Sequence, residues 1–558
     1  MEGPCEYGDA RTQAQVLERD IHRLEARLRQ LQEPKIVESM ELSDPYSSGK
    51  KQKARKKTSN GLYSLSACEP DISSQISRVL LDTFLAHAHD FAFFLNIPRF
   101  RDSLLLPLGH PLKPIRCLMG MIYLLGIRLA TTGALPTPAQ QAQQAGLLAC
   151  VLDEVSSMPN TASSRPFVVV HTIQAELLLS TYLFCQGRQL EGQYHLTRAI
   201  SLNIATRLNK IRSTRERPST SIDTSIDDVT SEAQSRTIPS SLSTSPSSLP
   251  LTADPIDEGE RINAFWTAFT LSNCWDAAVG GPTSLISVFG DGYVEVDTPW
   301  PMDMDGYEEG GFPPELRGSW TVQKFLNRVL DDTCIHDFSD VAMYAKASVL
   351  FRRARKIASQ LQQGNGMPEH ISTGLFDAFF AHSSLVNSFR ESLPPISAAP
   401  TTPDRPTVAG MNLVTHALAH CSVIQLHSAS IETNQLSMVQ SIMAATACVE
   451  ILSNTEVEKY LKQTRRLNPV MGILCGLVCD VFLKCLAALR NCGDTLSFMA
   501  EAFAVEAQYL DGNVAAMLEK LLGMMQTFAP RSGTMRNSLN KSLASYRTLN
   551  GDAEVVSQ

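Results

Sequence analysis

Residues 259–285 read GERINAFWTAFTLSNCWDAAVGGPTSL, and the reading of this stretch decides the fold class. Phe265, Trp266 and Phe269 recur within one turn, and Cys274 and Trp275 return one and a half turns later. That is helical spacing, with a large aromatic payload. Gly280, Gly281 and Pro282 then stop the helix and turn the chain. A stripe of this kind fills a core more often than it cages a ligand. The segment therefore reads as a scaffold helix.

The same period continues outward in both directions. Ile72, Ile76, Val79, Leu80, Phe84, Ala88, Phe91 and Leu95 recur at helix spacing and are expected to form one helix ending before Pro98. Further helices are expected near 115–131, 138–155, 168–186, 189–209 and 258–279. Beyond a looser, acidic stretch at 280–318 they follow at 320–363, 369–391, 408–429, 434–454, 467–491 and 495–528. Residues 392–407 carry five prolines and read as a surface loop. No segment alternates as a strand must, and the strand–helix succession of a nucleotide-binding α/β domain is absent. The expected class is all-α: a multi-helical domain with a short N-terminal coiled coil and a disordered Ser/Thr/Pro-rich insertion.

That insertion is 212–254, rich in Ser, Thr, Pro and Asp and without an aromatic residue. It cannot bury enough apolar area to offset its ordering entropy. The expected organisation is 1–34, 35–70 as a basic disordered linker, 71–530 as the helical domain, and 531–558 as a flexible C-terminal tail.

The totals bound the function. The 558 residues are 44% apolar and 19% charged, with a net charge of −8. The whole chain is no binder of polyanions, so any nucleic-acid contact has to come from a local basic patch. Thirteen cysteines, many in apolar surroundings such as Cys117, Cys475 and Cys479, suit reduced thiols in cytosol or nucleus. No secretory signal is visible, and the apolar windows 117–127 and 469–489 are short or charged, so no membrane span is expected.

Two N-terminal features stand out. Leu17, Ile21, Leu24, Leu28 and Leu31 step by 4, 3, 4 and 3, the a/d seam of a coiled coil, and Pro34 ends it. The run covers only about two heptads, so an amphipathic helix packed on its own chain is the other reading. Lys50, Lys51, Lys53, Arg55, Lys56 and Lys57 form a cation run that is either a solvated loop or a nuclear-import or phosphate-contacting patch.

Chemical motifs are scarce. His416 and His420 have zinc-like spacing, with Cys421 adjacent, but lack the glutamate of a zincin and read as a core or interface pair. Asp303, Asp305, Glu308 and Glu309 form an acidic loop that is either solvated or a cation site. Phosphate-binding, dinucleotide-binding, nucleophile-elbow and zincin motifs are missing, and no enzymatic activity is expected.

Three parts of the chain resemble the fungal-specific transcription factor family. The first is Pro4-Cys5-Glu6-Tyr7 with the heptad helix after it, which is similar to the end of a six-cysteine zinc cluster, its linker and coiled coil. The second is Leu80–Phe100, LLDTFLAHAHDFAFFLNIPRF, similar to the opening helix of the family's regulatory domain. The third pairs Gln174–Arg207 with Gly259–Pro282, the latter resembling the family signature helix through Arg261, Phe265, Trp266, Trp275, Gly280 and Pro282. Val294–Pro301, VEVDTPWP, follows where the family has a similar acidic, proline-bearing motif. Departures are Arg261-Ile262-Asn263, which keeps one basic residue, Gly281 in place of a common Arg, and Asn209-Lys210 in place of His-Arg.

The resemblance implies a regulator of RNA polymerase II transcription, nuclear and homodimeric. It implies DNA, the transcription machinery and coregulators as partners, and no membrane. Cys5 would be the last zinc ligand of a cluster whose other cysteines lie before Met1 in a full-length form. One thiolate cannot hold two zinc ions, so no cofactor is expected in this chain. An all-helical interaction scaffold without DNA binding is the alternative, and a helical enzyme with a site assembled from distant residues is the third reading.

Overall fold

The computed structural model describes residues 74–107, 109–130, 137–157, 165–215, 249–279, 295–329, 339–363, 369–396, 408–464, 467–491, 493–503 and 507–551. The chain divides between Ala67 and Cys68, and every described residue belongs to the second unit. Cys5, the heptad seam, the cation run, Gly280 and Pro282 lie outside the described residues.

The fold is all-α. Among the described residues there are eighteen α-helices and no strand, the pairing of Ser213 with Gly318 being an isolated bridge. In order these are α1 (Ser74–Leu85), α2 (Ile97–Leu104), α3 (Arg116–Ala130), α4 (Pro138–Ser157), α5 (Pro166–Cys185) and α6 (Gln189–Ala205). Then come α7 (Pro255–Val279), α8 (Met304–Glu308), α9 (Thr321–Leu326), α10 (Asp340–Gln363), α11 (Glu369–Ser392) and α12 (Val408–His427). The last six are α13 (Gln435–Leu452), α14 (Thr455–Thr464), α15 (Met471–Asn491), α16 (Gly493–Ala502), α17 (Ala507–Phe528) and α18 (Gly533–Leu549).

One contiguous apolar core runs through nearly all of them. Helix pairs form a closed circuit: α5 packs on α6, α6 on α7, α7 on α10, α10 on α12, α12 on α15, α15 on α18, and α18 returns to α5. Such a ring needs helices that are apolar on more than one side. Accordingly α5, α13 and α15 are long and apolar enough, by length and composition, to cross a membrane. For α5, 89% of its most apolar window is buried against other helices of the same chain.

Several expectations change. The helix expected to run up to Pro98 is broken into α1, a 3-10 turn at Ala88–Phe91, and α2. Pro98 starts α2 instead of ending a helix: Asn96 caps it by accepting from the Arg99 N–H (2.8 Å), and a first-turn proline loses no hydrogen bond. Ile76 and Val79 are exposed, whereas Leu80, Phe84, Ala88, Phe91 and Leu95 are buried. The helix expected over 320–363 is two helices, the one over 495–528 is two more, and α14 was not foreseen.

The edges of the insertion belong to the folded body. Asp254 accepts from the Asp257 N–H (2.7 Å) at the start of α7 and pairs with Arg99 (2.9 Å). Arg212 makes a two-pronged pair with Glu258 at 2.7 and 2.9 Å. These polar residues are ordered by capping and ion pairing, which composition does not reveal.

The C-terminal segment is the largest correction. Residues 533–549, expected as flexible tail, form α18, whose Met535, Leu539 and Ser542 are buried. Ser532 caps it by accepting from the Met535 N–H. The approach is close enough to require glycine: a Cβ on Gly533 would come within 2.6 Å of the Gln186–Gly187 backbone. Gly472 of α15 likewise lies where a Cβ would meet the Met535 nitrogen at 2.8 Å.

Candidate functional site

Helix α7 carries the sequence signature, and its side chains are sorted by what they touch. Arg261 does not face a ligand site. It forks onto Asp257 one turn back (2.8 and 3.1 Å) and donates to the Pro250 carbonyl (2.6 Å). Phe265, Trp266 and Trp275 are fully buried. Trp266 donates its indole N–H to the Pro299 carbonyl (2.6 Å) and stacks on Trp300 at 4.5 Å. Trp275 stacks on Phe184 of α5 at 3.7 Å with an interplanar angle of 5°.

The motif after α7 is a clasp. Asp297 is fully buried and accepts from the Ser213 hydroxyl (2.6 Å) and the Trp320 N–H (2.9 Å), while its own N–H donates to the Asn209 carbonyl (2.9 Å). The Thr298 hydroxyl donates to the Leu208 carbonyl (2.6 Å), and Asn209 donates to the Glu295 carbonyl (2.8 Å). The aspartate thus serves as a structural acceptor joining 208–213 to 295–320. A second such group is Glu176 of α5, fully buried, which holds His195 (2.7 Å) and Arg198 (3.1 Å) of α6.

Against these elements lies a cavity of about 780 Å³, within the size range of small-molecule sites. Its wall comes from the turn before α2, the C-terminal turns of α3 and α5, one side of α7, the α8 region, the N-termini of α10 and α12, and the α17–α18 turn. Trp266, Trp275, Phe93, Tyr344, Tyr460 and Phe528 are among its aromatic members, in a lining that mixes polar and apolar residues.

The charges are divided between its ends. Asp303, Asp305, Glu308 and Asp340 line one end, and Arg128, Arg531 and Arg536 line the other. Burial and the negative charge of Asp303 push the Asp340 carboxyl up to about 6, against hydrogen bonding by Asn412. Arg128 donates to the Arg531 carbonyl and lies over the Tyr182 ring, and Arg536 donates to the carbonyls of Ala529 and Pro530. Neither of these two guanidinium groups makes an ion pair among the described residues.

Three residues of the wall hold polar atoms without a hydrogen-bond partner among the described residues. They are Thr181 Oγ1, Asn263 Oδ1 and Trp275 Nε1, on side chains that are at least 95% buried. All three atoms are sealed by the packing around them, so they belong to the interior of the wall and not to its surface.

The remaining sequence candidates separate. His416 bonds the Pro394 carbonyl (2.8 Å), His420 is buried and burial lowers its ring to about 3, and the Cys421 thiol is pushed up beside Cys448. Among the described residues no group of three or more His, Cys, Asp or Glu side chains is placed to hold a metal. Of the acidic loop, Asp303, Asp305 and Glu308 reach the cavity wall; Asn96 donates to Glu308. Of the signature residues, Trp266 and Trp275 line the cavity. Arg128, Thr181, Asp340 and Arg536 were not foreseen, because each comes from a different helix and no local spacing connects them.

Comparison of the chain with family models, with curated proteins and with solved structures finds no match.

Proposed function

We propose that this chain is the dimerisation and regulatory part of a fungal zinc-cluster regulator of RNA polymerase II transcription, and that its helical body holds a small effector in the central cavity. One observation carries the reading. Segments remote in sequence, each similar to that family, contribute to the wall of the same cavity: His89–Pro98 from the 80–100 stretch, Thr181, Cys185 and Gln186 from the 174–207 stretch, and Asn263, Trp266 and Trp275 from the signature helix.

The mechanism follows from that arrangement. An effector seated against α5, α7, α10 and the α17–α18 turn touches members of one closed circuit of helices, so occupancy favours one packing of the ring over another. The ring then presents an altered surface to the transcription machinery or coregulators. In this reading DNA is read by a zinc cluster to which Cys5 contributes the last thiolate, the Leu17–Leu31 helix pairs two subunits, and the Lys50–Lys57 run serves nuclear entry.

The test is a fusion of the full chain to an unrelated DNA-binding domain in a fungal reporter strain. The expected result is transcription that differs from that with the DNA-binding domain alone. Equal output from the two, with the fusion present at equal level in the nucleus, would overturn the regulatory reading in favour of a scaffold.

A further inference from the structure

We infer that the cavity binds an elongated zwitterion, a short peptide with free termini, its ammonium end at Asp340 and Asp303 and its carboxylate end at Arg128 and Arg536. The inference deepens the effector reading of the same cavity and rests on it only for the consequence of binding.

Helix α7 gives the scale. Asn263 at one end neighbours Met302 and the acidic residues that follow it, since its amide lies 3.5 Å from the Met302 carbonyl. Trp275 at the other end stacks on Phe184, whose carbonyl accepts from the Thr534 hydroxyl (2.6 Å) next to Arg531 and Arg536. The two positions are twelve residues apart on one helix, roughly 18 Å at about 1.5 Å per residue. An extended chain of about four to five residues spans that length.

The charged groups have the sign this orientation requires. The carboxylates of Asp340 and Asp303 at the acidic end are acceptors, suited to an ammonium group. At the basic end the guanidinium groups of Arg128 and Arg536 are donors, suited to a carboxylate. Between the ends aromatic side chains such as Phe93 and Tyr344 alternate with polar ones such as Thr267 and Thr270, a lining that takes both apolar side chains and polar backbone. A simple cation would leave the donors of Arg128 and Arg536 unused, and a simple anion would face Asp340. A linear zwitterion answers both ends.

The experiment is calorimetry and thermal unfolding of the purified full chain with pentaalanine, N-acetyl-pentaalanine, pentaalanine amide, dialanine and ω-aminododecanoate. Pentaalanine is expected to bind and raise the unfolding temperature. Capping either terminus should weaken binding by about tenfold or more, the loss of one charge-assisted contact. Dialanine, too short to reach both ends, should bind at least as weakly as the capped forms. Asp340→Asn should remove the penalty for acetylation while leaving that for amidation, which a merely structural role would not do. Equal binding of free and capped pentaalanine, or no binding of any probe, overturns the inference, and binding of ω-aminododecanoate alone overturns its peptide part. Because binding is read without DNA or reporter, its failure is distinct from failure of the regulatory reading.

Discussion

Glu260 carries a carboxylate in a place that disfavours its charge. The side chain is 9% exposed on α7 and its carboxylate accepts from the Asn96 N–H (3.0 Å). Burial raises it from 4.5 to about 7, against the Asn96 hydrogen bond and the charge of Arg99, with Asp257 and Asp254 adding to the rise. A carboxyl raised by folding binds more protons in the native state, so its contribution improves as pH falls from 8 through 7 towards 5. Glu260→Gln keeps an acceptor for Asn96 and removes the charge. Denaturant unfolding should find the variant more stable by about 2 kcal/mol at pH 8, with the difference shrinking as pH falls through 7 and vanishing only below 4.5. Glu176 is the opposite case, a fully buried carboxylate with both His195 and Arg198 against it. Glu176→Ala leaves Arg198 without its carboxylate and should cost about 3–5 kcal/mol, seen as a large drop in urea midpoint. Neither role is legible in the sequence, where Glu176 and Glu260 are ordinary helix formers. What decides them is how closely a cation from another element approaches: Arg198 is in ion-pair contact with Glu176, whereas Arg99 acts on Glu260 without one and burial prevails.

At the scale of the element, helix-forming segments were legible and their ends were not. Period and apolar content located α3, α4, α5, α6, α7, α12, α13 and α15 to within a few residues. Proline breaks a helix interior, which makes Pro98 look like a stop in the sequence, yet the Asn96 cap places it in a first turn. The polarity of residues 533–549 suggests a tail, but only a few buried positions are needed to dock a helix. Met535 and Leu539 supply apolar anchors, and Gly472 and Gly533 allow the close approach. Gly533→Leu should therefore lower stability by about 1–3 kcal/mol, the range of overpacking, measured as a fall in thermal midpoint. Hydrogen exchange should rise in α15, in α17 and at the end of α5, the three helices α18 packs against. Trp266→Ala, which removes the stack on Trp300 and the bond to Pro299, should cost about 3–5 kcal/mol.

For the whole molecule, subunit pairing is the proposal that the 4-3-4-3 spacing of Leu17, Ile21, Leu24, Leu28 and Leu31 motivates. Light scattering of the full chain should give twice the monomer mass, and Leu24→Asp should return it to a monomer; an unchanged mass would remove the pairing claim. What the sequence by itself determined is the class. Hydrophobic period is a local property, written every three to four residues, and it sufficed for an all-α body with a core-filling aromatic helix at 258–279. What only the tertiary structure decided is the closed circuit of helices and the cavity it surrounds. Asp340, Arg128, Thr181, Trp275 and Arg536 share a wall because α18 returns to α5, a contact across some 350 residues. Such a contact is set by how many helices must share one core, not by any spacing along the chain. The stretches at 80–100, 174–207 and 259–282 are separate in the sequence, and residues of each meet at one cavity.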